Sequence, residues 1–277
     1  MGKNAIKKNK VKLIIFIILI LFIAFVCCSL NVLTTTKYRL SSDKLTEKIK
    51  IVVISDLHSS EYGKNQNRLL KKVKAENPDL ILMTGDVIDD QRSTKAVEKF
   101  FYGIQNLCPA YYVYGNHELR GDYIAYSEIL SKYGIILLNN DLRMELIKGQ
   151  RITVCGLTDP QNENPTKKWK YYLSELDRIS DNESYKILLS HRPHFVQNYK
   201  ETSFDLILCG HEHGGQWRIF NKGLYAPNEG LFPKYSHGVY TLGNAKMIVS
   251  SGLCKNWMPR FLNKPEIVSI TIDKSNS

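Results

Sequence analysis

Five short stretches gather residues that together could do metal or acid–base chemistry. They are "SDLH" with Asp56 and His58, "GDVIDD" with Asp86 and Asp89, "GNHE" with Asn116 and His117, "SHRP" with His191, and "GHEHGG" with His211 and His213. Five of the chain's seven histidines fall inside them. Aspartate, histidine and asparagine make a hard-to-borderline oxygen and nitrogen donor set suited to manganese, iron or zinc, and none of the five stretches offers a thiolate. Carboxylates and imidazoles crowded together are poorly solvated unless cations hold them, so a shared divalent-metal site is the chemistry implied. In "GHEHGG" both rings can turn toward one centre only if the backbone twists, which the glycines permit. Taken singly, each stretch also reads as ordinary structure. Asp56 could cap a helix, "GDVIDD" could be a turn, and His191 could simply end a strand before a proline-started helix.

The elements that must position these residues follow one grammar, a short β-rich apolar run, a loop of Gly, Asp, Asn or His, then a stretch of helical period. "IKIVVIS", "DLILMT" and "AYYVY" read as strands, with helices expected near 66–76, 94–106 and 123–132. "RMELI" and "RITVCG" about "KGQ" predict a hairpin, followed by a charged helix near 167–179. "YKILLS", "FDLILC", "GVYTLG", "KMIVSSG" and "EIVSITI" read as later strands. The alternation gives an α/β protein with at least partly parallel sheets. Asp56, Asp86, Asn116, His191 and His211 each stand at or just past the C-terminal end of a predicted strand, the edge where open α/β sheets bind ligands.

The ordered set "DLH", "GDVID", "GNHE", "SHRP", "GHEH" resembles the calcineurin-like metallophosphoesterase family over essentially all of 49–272. The resemblance implies a four-layer α/β/β/α sandwich and a site for two divalent ions. One ion would be held by Asp56, His58, Asp86 and His213, the other by Asp86, Asn116, His191 and His211, with Asp86 shared. His117 would face the substrate without ligating, oriented by Asp89. Two such ions make a hydroxide available near neutral pH for in-line attack on phosphorus, and His117 can protonate the departing alkoxide. Glu212 departs from related bacterial sequences, which more often carry a small polar residue there; it could tune the metals or face solvent. Downstream, "GGQWRIF" and "SSGLCKNWMPRFLNKPEIVSI" resemble a bacterial membrane-associated branch. There Arg260 is a candidate phosphate contact or, equally, a structural ion-pair residue. Trp217, Tyr235 and Trp257 are expected to pack in the core.

The front of the chain is different in kind. Residues 1–12 carry five lysines and no acid, and 13–30 is an uncharged apolar run of 18 residues. That length suits a membrane span better than a cleaved signal, and no small-residue cleavage site follows. The expected organisation is a cytoplasmic basic flank (1–12), a transmembrane anchor (13–30), a polar linker (31–48) and a catalytic domain (49–277) held outside the cytoplasm. The formal charge of +11 is partly this flank. With no basic groove interleaved with aromatics, nucleic acid is not an expected partner. The cysteines show no C-x-x-C spacing, and Cys155 and Cys209 lie in strand-like runs as small hydrophobes.

The function expected is metal-dependent hydrolysis of a phosphodiester, with lipid- or envelope-derived esters among the candidate substrates. The rivals are a pyrophosphatase of nucleotide-diphospho-sugars or lipids, and a non-catalytic envelope binding protein that keeps the fold.

Overall fold

The structure, a computed structural model, describes residues 2–29, 32–161, 164–219, 222–226, 229–255 and 260–275, with the side chains of the first helix over 8–22. Two six-stranded sheets carry the fold. The first has the order β1-β16-β2-β3-β4-β5, with β1 Thr34–Ser42, β2 Ile49–Ile54, β3 Leu80–Met83, β4 Ala110–Tyr112, β5 Ile136–Leu137 and β16 Glu266–Lys274. The second runs β14-β15-β9-β8-β7-β6, with β6 Asp141–Ile147, β7 Gln150–Leu157, β8 Tyr185–Ser190, β9 Leu206–Cys209, β14 Gly238–Leu242 and β15 Ala245–Val249. Strands β2 to β5 are parallel, as are β7, β8, β9 and β15; antiparallel neighbours lie toward the outside.

Alternation along the strands builds the layers. Ile51 and Val53 of β2 meet Ile187 and Leu189 of β8 in a core between the sheets. Val52 and Ile54, one residue out of phase, face the other way onto helices α2 (Asn67–Glu76), α3 (Lys95–Ile104) and α5 (Tyr123–Lys132). Leu188 and Cys209 likewise meet Trp169 and Leu173 of α6 (Lys167–Ile179) and Val196 of α7 (Val196–Tyr199) on the far side of the second sheet. The result is helices, sheet, sheet, helices, and the four helices expected at 66–76, 94–106, 123–132 and 167–179 lie within those bounds. Each fully buried Ile, Leu or Val contributes about 1.5–3 kcal/mol, so the three cores hold the strand ends in fixed relation.

The linker expected over 31–48 is a correction. Thr34–Ser42 is strand β1, parallel to β16 from Thr34 opposite Glu266 to Ser42 opposite Lys274, and Leu45 is fully buried. The segment hides its role because it is an edge strand: only Tyr38 and Leu40 pack on the inter-sheet core, and the alternate positions stay wet and polar.

Ahead of the sheets, Gly2–Ser29 forms helix α1, with exposed Leu13, Phe16 and Leu21 along its described part. Among the described residues no helix is long and apolar enough to cross a membrane. The span expected over 13–30 runs beyond the described side chains.

Two short hairpins, β10 (Arg218–Ile219) with β11 (Lys222–Gly223) and β12 (Tyr225–Ala226) with β13 (Gly230–Leu231), follow β9 on the rim. Trp217, expected in the core, is 45% exposed there; Tyr235 packs edge-on against Tyr240, and Trp257 lies outside the described residues.

Candidate metal centre

The C-terminal ends of β2, β3, β4, β8 and β9 converge, and the loops leaving them, with the short helix α4 (Asn116–Arg120) after β4, carry the residues singled out above. Asp56, His58, Asp86, His211 and His213 all hold backbone φ between 45° and 71°, a region L-residues with side chains rarely adopt. Strain repeated at five of the seven expected ligands is the mark of a site whose side chains must be aimed rather than packed. Glycine makes the convergence possible. A Cβ on Gly85 would lie 2.5 Å from the Gly115 nitrogen, and one on Gly210 would lie 1.8 Å from Ser55 Oγ.

Asp86 is central. Its Oδ2 lies 3.1 Å from His191 Nε2 and 3.7 Å from His58 Nε2, while its Oδ1 accepts the His117 backbone N–H at 2.8 Å. Asp56 accepts the His211 backbone N–H through both oxygens, at 3.0 and 3.1 Å. His191 Nδ1 meets the Thr84 carbonyl at 2.8 Å, which makes Nδ1 the donor and leaves Nε2, 3.0 Å from His211 Nδ1, to face the centre. Of the possible donor groups among the described residues, two share Asp86: Asp56–His58–Asp86 and Asp86–His191–His211.

The buried atoms without partners test whether these residues suit a cation. Among the described residues, His58 Nε2, Asn116 Oδ1 and His213 Nδ1 meet no hydrogen-bond partner, and all three side chains belong to residues under 9% exposed. An orphaned buried polar atom costs about 1–3 kcal/mol, a cost that is repaid wherever an ion takes the atom as a ligand. The donors therefore fit divalent metal.

Without metal the charged groups hold one another. Burial pushes the Asp86 carboxyl up, but the facing His191 imidazole, together with His58 and His117, holds the group well below the usual range. Burial lowers His191, yet the Asp86 carboxylate overrides it and raises the ring to about 10. Burial, with the nearby cationic groups, holds His211 and His213 well below their ordinary values, so both present neutral nitrogens.

His117 is the more open ring, its side chain 24% exposed against 4% for His58 and none for His191. The carboxylate expected to orient it is a second correction. His117 Nδ1 lies 2.5 Å from Asp90 Oδ1 and 3.9 Å from Asp89 Oδ2. Asp89 instead meets His58 Nδ1 at 3.1 Å, turning His58 Nε2 toward the centre. The paired aspartates at the end of "GDVIDD" were visible in the sequence; which one faces which ring depends on the turn.

Three further side chains matter. Glu118, fully buried, accepts backbone N–H groups of Asp86, Ile88 and Gly115, each at 2.9 Å, and the Tyr112 hydroxyl, tying the "GDVID" and "GNHE" loops together. Arg260 is buried; Nε and Nη1 donate to the carbonyls of Cys254 and Ser251, and Nη2 has no partner among the described residues. Glu212 is turned inward and fully buried, its nearest imidazole being His194 at 3.7 Å. A thiol from outside the five stretches, that of Cys254, lies beside His58 and His213. It stands in a separate loop, "GLCKN", whose spacing to the histidine stretches carries no signal.

Comparison with known proteins agrees with this geometry. The calcineurin-like phosphoesterase family matches residues 49–215. Metallophosphoesterase YkuE of Bacillus subtilis (strain 168) is 30% identical over 262 residues, covering 89% of this chain and 87% of its own. Phosphodiesterase YaeI of Escherichia coli (strain K12) is 24% identical over 237 residues, 80% of this chain and 82% of its own. Of solved structures, TT1561 of Thermus thermophilus superposes with a TM-score of 0.52 at 13% identity, over 74% of this chain and 90% of that one, a likeness of fold alone. Since the match spans more than half the chain and takes in every loop from Asp56 to Gly215, the chain belongs to the calcineurin-like phosphoesterase family, whose members use divalent metals to hydrolyse phosphoric esters.

Proposed function

We propose that this chain is a two-metal phosphodiesterase tethered to the membrane, with its catalytic domain outside the cytoplasm. The observation that carries the two-ion reading is Asp86, one buried carboxylate facing imidazoles from both sheets and common to two donor groups. Asp56, His58, Asp86 and His213 would hold one ion, and Asp86, Asn116, His191 and His211 the other. Manganese, iron and zinc all suit such donors. Bound there, the pair would acidify a water and neutralise phosphoryl oxygens, the chemistry such sites supply.

The protein's own groups do the rest. His117, backed by the Asp90 carboxylate, would pass a proton to the departing alkoxide, which is otherwise a poor leaving group. Arg260, whose Nη2 has no partner among the described residues, would offer it to a phosphate oxygen. Diesters are favoured over monoesters by the activity named for YaeI. The lysine-rich flank, the apolar run over 13–30 and the exposed Leu13, Phe16 and Leu21 support the tether, and a tethered enzyme suits esters drawn from envelope lipids.

The test is metal content and turnover together. Purified protein supplied with manganese should retain two equivalents and hydrolyse an aryl phosphodiester faster than the matching monoester. Asp86→Ala should lose both metal and turnover, and His117→Ala should lose turnover while keeping metal. Equal turnover in wild type and both variants would sink the reading.

A further inference from the structure

Cys254 sets itself apart from the other buried thiols. Cys155 and Cys209 lie inside the apolar core between the second sheet and its helices, where a thiol is a small hydrophobe. Cys254 is 2% exposed, in no disulfide, and belongs to none of the three cores. Its Sγ falls within 4.8 Å of a ring nitrogen on each of His58 and His213, and those nitrogens in turn lie that close to each other. His58 Nε2 and His213 Nδ1 are the orphaned, deeply buried atoms noted above, and the two rings stand 5.2 Å apart between centroids. A thiol beside two imidazoles that each carry a buried nitrogen without a hydrogen-bond partner makes a donor set for metal.

The backbone that carries Cys254 is held on both sides. Leu253 N donates to the carbonyls of Ser55 and Asp56, both at 3.1 Å, and Tyr62 donates to the Leu253 carbonyl. Lys255 N donates to Ser60 Oγ at 3.0 Å, and Arg260 Nε to the Cys254 carbonyl at 3.1 Å. Gly252, at φ 68°, lets this loop pass close to the Asp56 side chain, where a Cβ would lie 2.7 Å from that of Asp56. These bonds fix the thiol against the loop that bears Asp56 and His58. The buried Arg260 guanidinium places positive charge next to it, which offsets an added anion among the carboxylates.

Resting on the two-metal reading, we infer that Cys254 is a sulfur ligand of the ion held by Asp56, His58, Asp86 and His213. Binding replaces the thiol proton, which leaves to solvent, by a sulfur–metal bond. A soft sulfur donor added to nitrogen and oxygen selects zinc, ferrous iron or cobalt at that position over manganese or magnesium. The two positions then differ in kind, one sulfur-containing and selective, the other built from Asp86, Asn116, His191 and His211 and permissive.

Cobalt reports this directly. Metal-free full-length protein in detergent is titrated with cobalt(II) and followed by absorbance, with bound cobalt counted separately. The expected result is two equivalents bound and a near-ultraviolet sulfur-to-cobalt charge-transfer band saturating with one of them. Cys254→Ser should lose that band while keeping visible cobalt absorption, with zinc affinity at one position lower by at least about tenfold. Cys209→Ser should keep the band. Should Cys254→Ser not fold, X-ray absorption of the zinc-loaded wild type decides, through a sulfur neighbour at about 2.3 Å. Two cobalt ions bound with no charge-transfer band, or a band that survives in Cys254→Ser, would overturn the sulfur ligand and leave the two-metal reading standing. No cobalt uptake would overturn both.

Discussion

His117 leans on Asp90 and not on its neighbour Asp89: Nδ1 lies 2.5 Å from Asp90 Oδ1 and 3.9 Å from Asp89 Oδ2, which is engaged with His58. One turn thus supplies carboxylates to two rings with different tasks. Asp90→Asn should lower kcat by about 10²-fold or more, the typical worth of a positioned proton donor, with metal content unchanged. Asp89→Asn should weaken metal binding by about 10–100-fold through His58. Parallel metal titrations and turnover measurements separate the two, and a reversed pattern would return Asp89 to His117.

Glu118 ties the site together from beneath. Its carboxylate satisfies three buried N–H groups and a tyrosine hydroxyl. Glu118→Ala leaves those donors unpaired in a place water does not reach, at about 1–3 kcal/mol for each group. Thermal unfolding of the metal-free protein should show a loss of at least about 3 kcal/mol. A loss under about 0.5 kcal/mol, the size of an ordinary surface change, would show that the loops hold their shape without it.

His237 lies away from the metal donors, and burial, with the Arg218 charge, holds its ring down to about 4 from an ordinary 6.5. Between those values the unfolded chain binds a proton that the folded chain refuses, so stability falls as pH drops from 6.5 toward 4. Above that window the group contributes no slope. Urea midpoints of wild type and His237→Asn should run parallel at about pH 7 to 8 and diverge below about 6.5, with the variant losing less; parallel curves throughout would contradict the assignment.

The proposed tether predicts sidedness. A reporter fused after residue 277 that is active only on the far side of the membrane should light up, and one active only in the cytoplasm should stay dark. The opposite result would place the catalytic domain inside.

Much of this protein was legible before folding. Strands and helices declared themselves by periodicity, because each faces a core on one side and the apolar residues must recur with the element's own repeat. The donors declared themselves because aspartate, asparagine and histidine gathered at strand ends, where Asp56, Asp86, His191 and His211 indeed meet. Strand β1 did not, since an edge strand with one wet face has little apolar pattern to show. Pairings across the site were equally silent. Whether His117 meets Asp89 or Asp90 turns on the dihedral angles of one loop, and the approach of Cys254 to His58 on a contact between segments nearly 200 positions apart in the chain. The sequence by itself determined most of the elements and the aspartate, asparagine and histidine side chains that could bind metal, because local period and donor type are properties of residues. Only the tertiary structure decided which donors face one another, because that depends on how two sheets bring their edges to the same place.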